Sequence, residues 1–199
     1  MVKKQSNSFM SSDGKTSIHV VMWRPDENEY DKPVAVLQIS HGMIEYIDRY
    51  DGFARFMADR GFVVVGNDHL GHGESVCSDD DLGFFKDEHP GEALAKDVHH
   101  LTVLTKKMYP GIPYYLLGHS MGSFVTRKYI CDYGYELDGV IIMGTGHQPA
   151  PMVFAGKVLA DVVRLIKGDR YRSRLISKIM FGNYNKRIKN VRTVNDWLT

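Results

Sequence analysis

Cysteine is scarce in this chain of 199 residues: Cys77 and Cys131 are the only two. Two thiols cannot build a disulfide framework, and these lack the spacing of a metal cluster, so no metal is expected. Long apolar runs are also missing. None approaches eighteen residues, so no segment is expected to span a membrane. Behind the lysines of Met1-Val2-Lys3-Lys4-Gln5-Ser6-Asn7-Ser8 there is no apolar stretch. A secretory signal is therefore not expected, and the cytoplasm is the default compartment. No nucleic-acid motif accompanies the tyrosines or tryptophans, which argues against a nucleic-acid partner. What is present, 43% hydrophobic and 25% charged residues, suits a soluble domain with one sizeable core.

Strands and helices alternate along the chain. Ile18 to Trp23 is a short β-rich run, and Val34 to Ser40 is a buried-strand run. Phe53, Phe56 and Met57 mark one face of a helix that Gly61 closes. Phe62 to Gly66 is the next buried strand, with Asp68 at its end. From about Pro90 a long helix carries Leu94, Val98, Leu101, Leu104 and Met108 at steps of three and four, and Tyr109-Pro110-Gly111 breaks it. Val140 to Met143 is the last strand. Such alternation predicts an α/β fold, a mostly parallel sheet with helices on both faces.

Gly118-His119-Ser120-Met121-Gly122 follows the apolar run Tyr114 to Leu117 and precedes a helical run from Ser123 to Ile130. Strand, G-x-S-x-G, then helix is the nucleophile elbow, a strained turn that lifts a serine hydroxyl above the carboxyl edge of a sheet. Acyl transfer also needs two donors aimed at the oxyanion. The backbone N–H of Met121 supplies one in this arrangement. His41-Gly42-Met43-Ile44-Glu45, after an earlier strand, offers Met43 N–H as the other. Gly42 lets the backbone approach the substrate without a Cβ in the way.

His41-Gly42-Met43, Arg49-Tyr50, Asp68-His69-Leu70-Gly71-His72-Gly73-Glu74-Ser75 and the Ser120 pentapeptide occur in the order of a known family. The chain resembles the α/β-hydrolases of the monoacylglycerol lipase and lysophospholipase type, a serine aminopeptidase-like group, from about residue 8 onward. The resemblance implies hydrolysis of monoacylglycerol or lysophospholipid esters through an acyl-enzyme on Ser120, with no cofactor. A peptidase or thioesterase of the same fold is the enzymatic alternative. A catalytically silent chain that binds acyl ligands is the other. The resemblance divides the chain into a core over 1–146 and an incomplete helical cap over 147–199.

The Asp68, His69 and His72 loop could be read as acid and base or as metal ligands. The resemblance gives it a structural role, hydrogen-bonding neighbouring loops. Most of the nine histidines are expected at the surface or in loops, as is the Asp79-Asp80-Asp81 run. His119 should point away from the serine. From Pro151 to Lys167 a helix is expected with apolar residues around much of its circumference. Lys157 to Arg192 holds eleven Lys and Arg against two acids, a local charge of +9 that leaves −8 for the rest. Either this segment meets anionic head groups at a membrane surface, or it packs on the core with its charges solvated. A serine needs a histidine base and an orienting carboxylate, in the order Ser, acid, His in this fold. Asp132, Asp138, Asp161, Asp169 and Asp196 follow Ser120, but none after a further core strand, and His147 is the one later histidine. The triad acid and base are therefore unassigned and expected beyond Thr199, in strands missing from this chain.

Overall fold

The computed structural model describes residues 1–84 and 89–181. They divide into two compact units, Met1–Thr145 and the unit that starts at Gly146. In the first unit, β1 (Lys3–Met10), β2 (Ser17–Arg24), β3 (Ala35–Ser40) and β4 (Phe62–Asn67) combine with β5 (Tyr114–His119) and β6 (Gly139–Met143). They form one sheet in the order β1-β2-β4-β3-β5-β6. β4, β3, β5 and β6 run parallel, whereas β2 is antiparallel to β4 and β1 to β2.

Helices cover both faces. Along β3, β4 and β5, successive residues point to opposite sides, so a strand buried on both must be apolar throughout. Leu37, Ile39, Val64 and Leu117 face one side with Ala54 and Ala58 of α1 (Asp51–Ala58). Val36, Val63, Val65 and Tyr114 face the other with Leu101 of α2 (Pro90–Met108). There Leu116 meets Val98 and also Val125 and Tyr129 of α3 (Met121–Tyr133). Gln38 is the polar exception. Its amide donates to Val98 O (2.9 Å), and its Oε1 accepts from Thr102 (2.8 Å) and Tyr114 (2.5 Å), so both ends of the Gln38 amide have partners.

One expectation needs correction, the buried face of α1, and one strand goes beyond what the sequence pattern announced. β1 is a strand that the polar run Lys3–Met10 did not announce. On α1 the small residues Ala54 and Ala58 face the core, while Phe53 and Phe56 are exposed; Phe56 lies under the Arg60 guanidinium at 3.6 Å. In the Asp79–Asp81 run, which forms a short 3-10 turn, Asp79 and Asp80 are exposed and Asp81 half-buried. In the second unit, α4 (Ala150–Lys167) and α5 (Arg174–Phe181) follow each other, and α4 buries no residue. Asp196 and the charges beyond Phe181 lie outside the described residues. No described helix is long and apolar enough to cross a membrane.

Candidate functional site

Ser120 sits between the end of β5 and the start of α3 with φ 51° and ψ −116°. A non-glycine residue at positive φ is strained, and such strain persists where its surroundings over-determine it. The backbone here is held from both sides. Ser120 N–H donates to Met143 O (3.0 Å), and Ser120 O accepts from the N–H (2.9 Å) and hydroxyl (2.5 Å) of Ser123. Flanking glycines make the turn possible. A Cβ on Gly122 would lie 1.9 Å from Ser40 O, and one on Gly118 2.3 Å from Thr126 Oγ1. α3 can therefore start hard against β3 and β5 only without those side chains. Met121 is the first residue of α3, so its N–H lies outside the helix's own ladder.

The loop after β3 passes beside this turn. A Cβ on Gly42 would be 3.1 Å from the Ser120 Cβ, which places Gly42-Met43 against the serine. Ile44 follows at φ 61°, and a β-branched residue there is an outlier. Among the described residues, the two non-glycine residues at positive φ thus lie in the Ser120 turn and in the loop beside it.

Glu45 and Tyr50 are neighbours of the Ser120 turn whose contacts sequence reasoning did not foresee. The Glu45 carboxylate is buried. Its Oε2 accepts from Gly42 N–H (2.8 Å) and Tyr50 Oη (2.8 Å) and lies 3.2 Å from His119 Nδ1. Tyr50 Oη is also 3.2 Å from that nitrogen. Since the phenol proton goes to Glu45, both groups facing Nδ1 are acceptors, so Nδ1 carries the proton. Burial would raise the Glu45 pKa, but the donors from Gly42, Tyr50 and His119 outweigh it and hold the carboxyl below its ordinary range. Burial, then the Glu45 charge, pushes the Tyr50 phenol up. A glutamate three residues after Gly42, the reach-back spacing of a capping box, is the signal that could have revealed this contact.

Asp68, His69 and His72 turn out to be internal struts. Asp68 Oδ1 accepts from Ile47 N–H (2.6 Å) and Oδ2 from Glu74 N–H (2.8 Å). His69 Nε2 lies 3.0 Å from Ser40 Oγ, and His72 Nδ1 lies 2.9 Å from Leu70 O. His41 joins them in the interior, so three of the nine histidines are buried. Among the described residues, no group of three or more His, Cys, Asp or Glu is placed to hold a metal.

The remaining acids are engaged elsewhere. Asp132 pairs with Lys128 (2.6 Å), Asp138 accepts from Tyr114 N–H (2.7 Å), and Asp161 and Asp169 lie beside Arg164. His147 belongs to the second unit. Among the described residues, Ser120 Oγ has no histidine partner.

The sequence profile of the serine aminopeptidase S33 hydrolases matches residues 31–194. The chain belongs to this S33 family. Its fold is that of the α/β-hydrolases. One solved structure, a highly thermostable carboxyl esterase from Bacillus coagulans in complex with glycerol, superposes with a TM-score of 0.81. That match has 30% identity and covers 98% of this chain and 61% of the esterase. The monoglyceride lipase homolog of Monkeypox virus is 34% identical over 129 residues, 63% of this chain and 42% of the viral protein. The monoglyceride lipase of Mus musculus is 26% identical over 144 residues, 72% of this chain and 42% of the mouse protein. The chain thus spans less than half the length of these two relatives.

Proposed function

We propose that the protein hydrolyses carboxylic esters of lipid-like substrates, monoacylglycerol or lysophospholipid, through an acyl-enzyme on Ser120. The observation that carries this reading is the strained Ser120 backbone between β5 and α3 with the Gly42-Met43 loop against it. Ser120 Oγ attacks the ester carbonyl, and the negative charge that develops on the carbonyl oxygen is received by the N–H groups of Met43 and Met121. Collapse of the tetrahedral adduct expels the alcohol, and water then releases the fatty acid. The reaction needs no cofactor. A histidine base with its carboxylate completes such a site. Similarity to monoglyceride lipases and to a glycerol-bound esterase favours a glycerol monoester over an aminoacyl amide. The second unit, with the exposed apolar residues of α4 beside lysines and arginines, would act as a cap that meets the lipid surface.

An activated-serine probe on the intact protein is expected to label Ser120 alone, and Ser120→Ala to abolish labelling. Labelling that survives the substitution rejects the nucleophile. Glycerol monoesters should turn over faster than aminoacyl amides; the reverse order supports a peptidase of the same fold.

A further inference from the structure

We propose that His41 and Glu45 are positioning residues that grip Gly42 from its two sides and so aim the Met43 amide at the developing oxyanion. The proposal rests on the reading of Ser120 as nucleophile. Its starting point is a conflict at Gly42. A side chain there would meet Glu45 Oε2 at 3.0 Å and Ser120 Cβ at 3.1 Å, so space favours glycine. Glycine is also the residue with the greatest backbone freedom, yet an oxyanion donor must be held in advance of the reaction. Rigidity must therefore come from outside the residue.

Two buried side chains supply it. On the N-terminal side, Glu45 Oε2 accepts from Gly42 N–H at 2.8 Å, a charge-assisted bond that fixes the His41–Gly42 peptide. On the C-terminal side, His41 Nδ1 lies 2.7 Å from Gly42 O. His41 Nε2 lies 3.0 Å from His69 N–H, which can only donate. Nε2 is therefore the acceptor, and Nδ1 carries the proton that goes to the Gly42 carbonyl. The Asp68 carboxylate, 4.0 Å from Nε2, is already occupied by the amides of Ile47 and Glu74. Burial, then the neighbouring His72, pushes the His41 ring down to about 3, in keeping with a neutral strut.

Peptide planarity turns this grip into an aim. The Gly42 carbonyl and the Met43 N–H belong to one trans peptide and point in opposite directions. Fixing the carbonyl on His41 fixes the Met43 N–H on the far side of that plane. Glu45 adds a second constraint, because the same oxygen meets His119 Nδ1, one residue before the nucleophile. Oxyanion loop and nucleophile turn are thus fastened to a single carboxylate.

The test uses the intact protein and an alkyl fluorophosphonate. In the labelling step Ser120 Oγ bonds to phosphorus, fluoride leaves, and the hydroxyl proton passes to base or solvent. Loss of one oxyanion donor costs about 100- to 1,000-fold in subtilisin, so a donor that is misaimed rather than removed should cost about tenfold or more. His41→Gln and Glu45→Gln should each lower the maximal labelling rate by that factor and leave the probe's half-saturating concentration within about twofold. That split marks an interaction made in the transition state alone; a merely structural defect would reduce the fraction of protein that labels. Maximal rates equal to wild type in both variants overturn the proposal. Should either variant fail to fold, the other decides, together with a measurement on the unmodified protein. Nitrogen NMR of the His41 ring should show the neutral Nδ1–H tautomer at pH 7 and at pH 5. An Nε2–H tautomer or a cationic ring at pH 7 overturns the clamp. If the unmodified protein is not labelled at Ser120, the nucleophile reading fails, and the ring tautomer still decides the clamp.

Discussion

The imidazoles of His41, His69 and His72 are neutral in the folded protein because burial disfavours their charged forms, and each also feels a charged or ring neighbour. Lowered folded pKa values mean that these rings take up protons mainly on unfolding. Below the ordinary value of 6.5 the unfolded chain binds more protons than the folded one. Stability is then full above about pH 6.5 and declines as the pH falls, by up to about 1.4 kcal/mol per pH unit for each ring. Asp68 and Asp97, raised by burial, act in the opposite sense, adding stability as the pH falls towards their ordinary 3.8. The melting temperature is therefore expected to fall steadily from pH 7 to pH 5, and His41→Gln should flatten that slope. A melting temperature unchanged across this range would mean that the rings are charged in the folded state. At this scale, the sequence carried the Ser120 turn and the Gly42 loop because glycines at fixed spacing leave few other backbones. Burial of the histidines was not legible, since it depends on β3 and β4 lying side by side.

Among the elements, legibility followed local pattern. α2 shows its core face through Leu94, Val98 and Leu101, whereas Leu104 and Met108 of the same series lie nearer the surface. β1 carries no alternation of apolar and polar residues. Its eight residues pair with β2 from Lys3↔Arg24 to Met10↔Ser17, held by the backbone groups of a neighbouring edge that need partners. α1 misleads for the opposite reason: Phe53 and Phe56 are exposed, Met57 is half-buried against the core, and close approach to the sheet is made by Ala54 and Ala58. α4 poses the functional question. Phe154 is 70% and Leu165 80% exposed, with Lys157, Arg164 and Lys167 on the same helix and Arg174 and Lys178 on the next. An apolar helix with basic residues is suited to an anionic interface. The protein is expected to bind anionic vesicles more tightly than neutral ones, and salt should weaken the difference. Equal binding to both across a salt series rejects the electrostatic contribution, and binding to neither returns α4 to ordinary packing.

For the whole molecule, the sheet has two edges of opposite character. β1 is polar and starts with Lys3 and Lys4; Lys4 Nζ lies 2.8 Å from Asp48 and Lys3 Nζ 3.0 Å from Glu27. Charge on an edge strand discourages a second chain from adding to it. β6, last in the sheet among the described residues, has no such protection. Val140, Ile141, Ile142 and Met143 are all exposed, and no charged residue interrupts them. An exposed apolar edge strand presents unpaired backbone groups and water-exposed apolar area together, and both are relieved when another strand docks. The 199-residue chain is therefore expected to self-associate through β6 at micromolar concentration. Ile141→Lys places a cation in the middle of that edge, where pairing would strip its water, and should shift the chain toward monomer in sedimentation velocity. The β1 edge supplies the control: Lys4→Ile removes one of its two charges and should raise association less than Ile141→Lys lowers it. If Ile141→Lys leaves the distribution of species unchanged, β6 is not the contact and association must run through another surface.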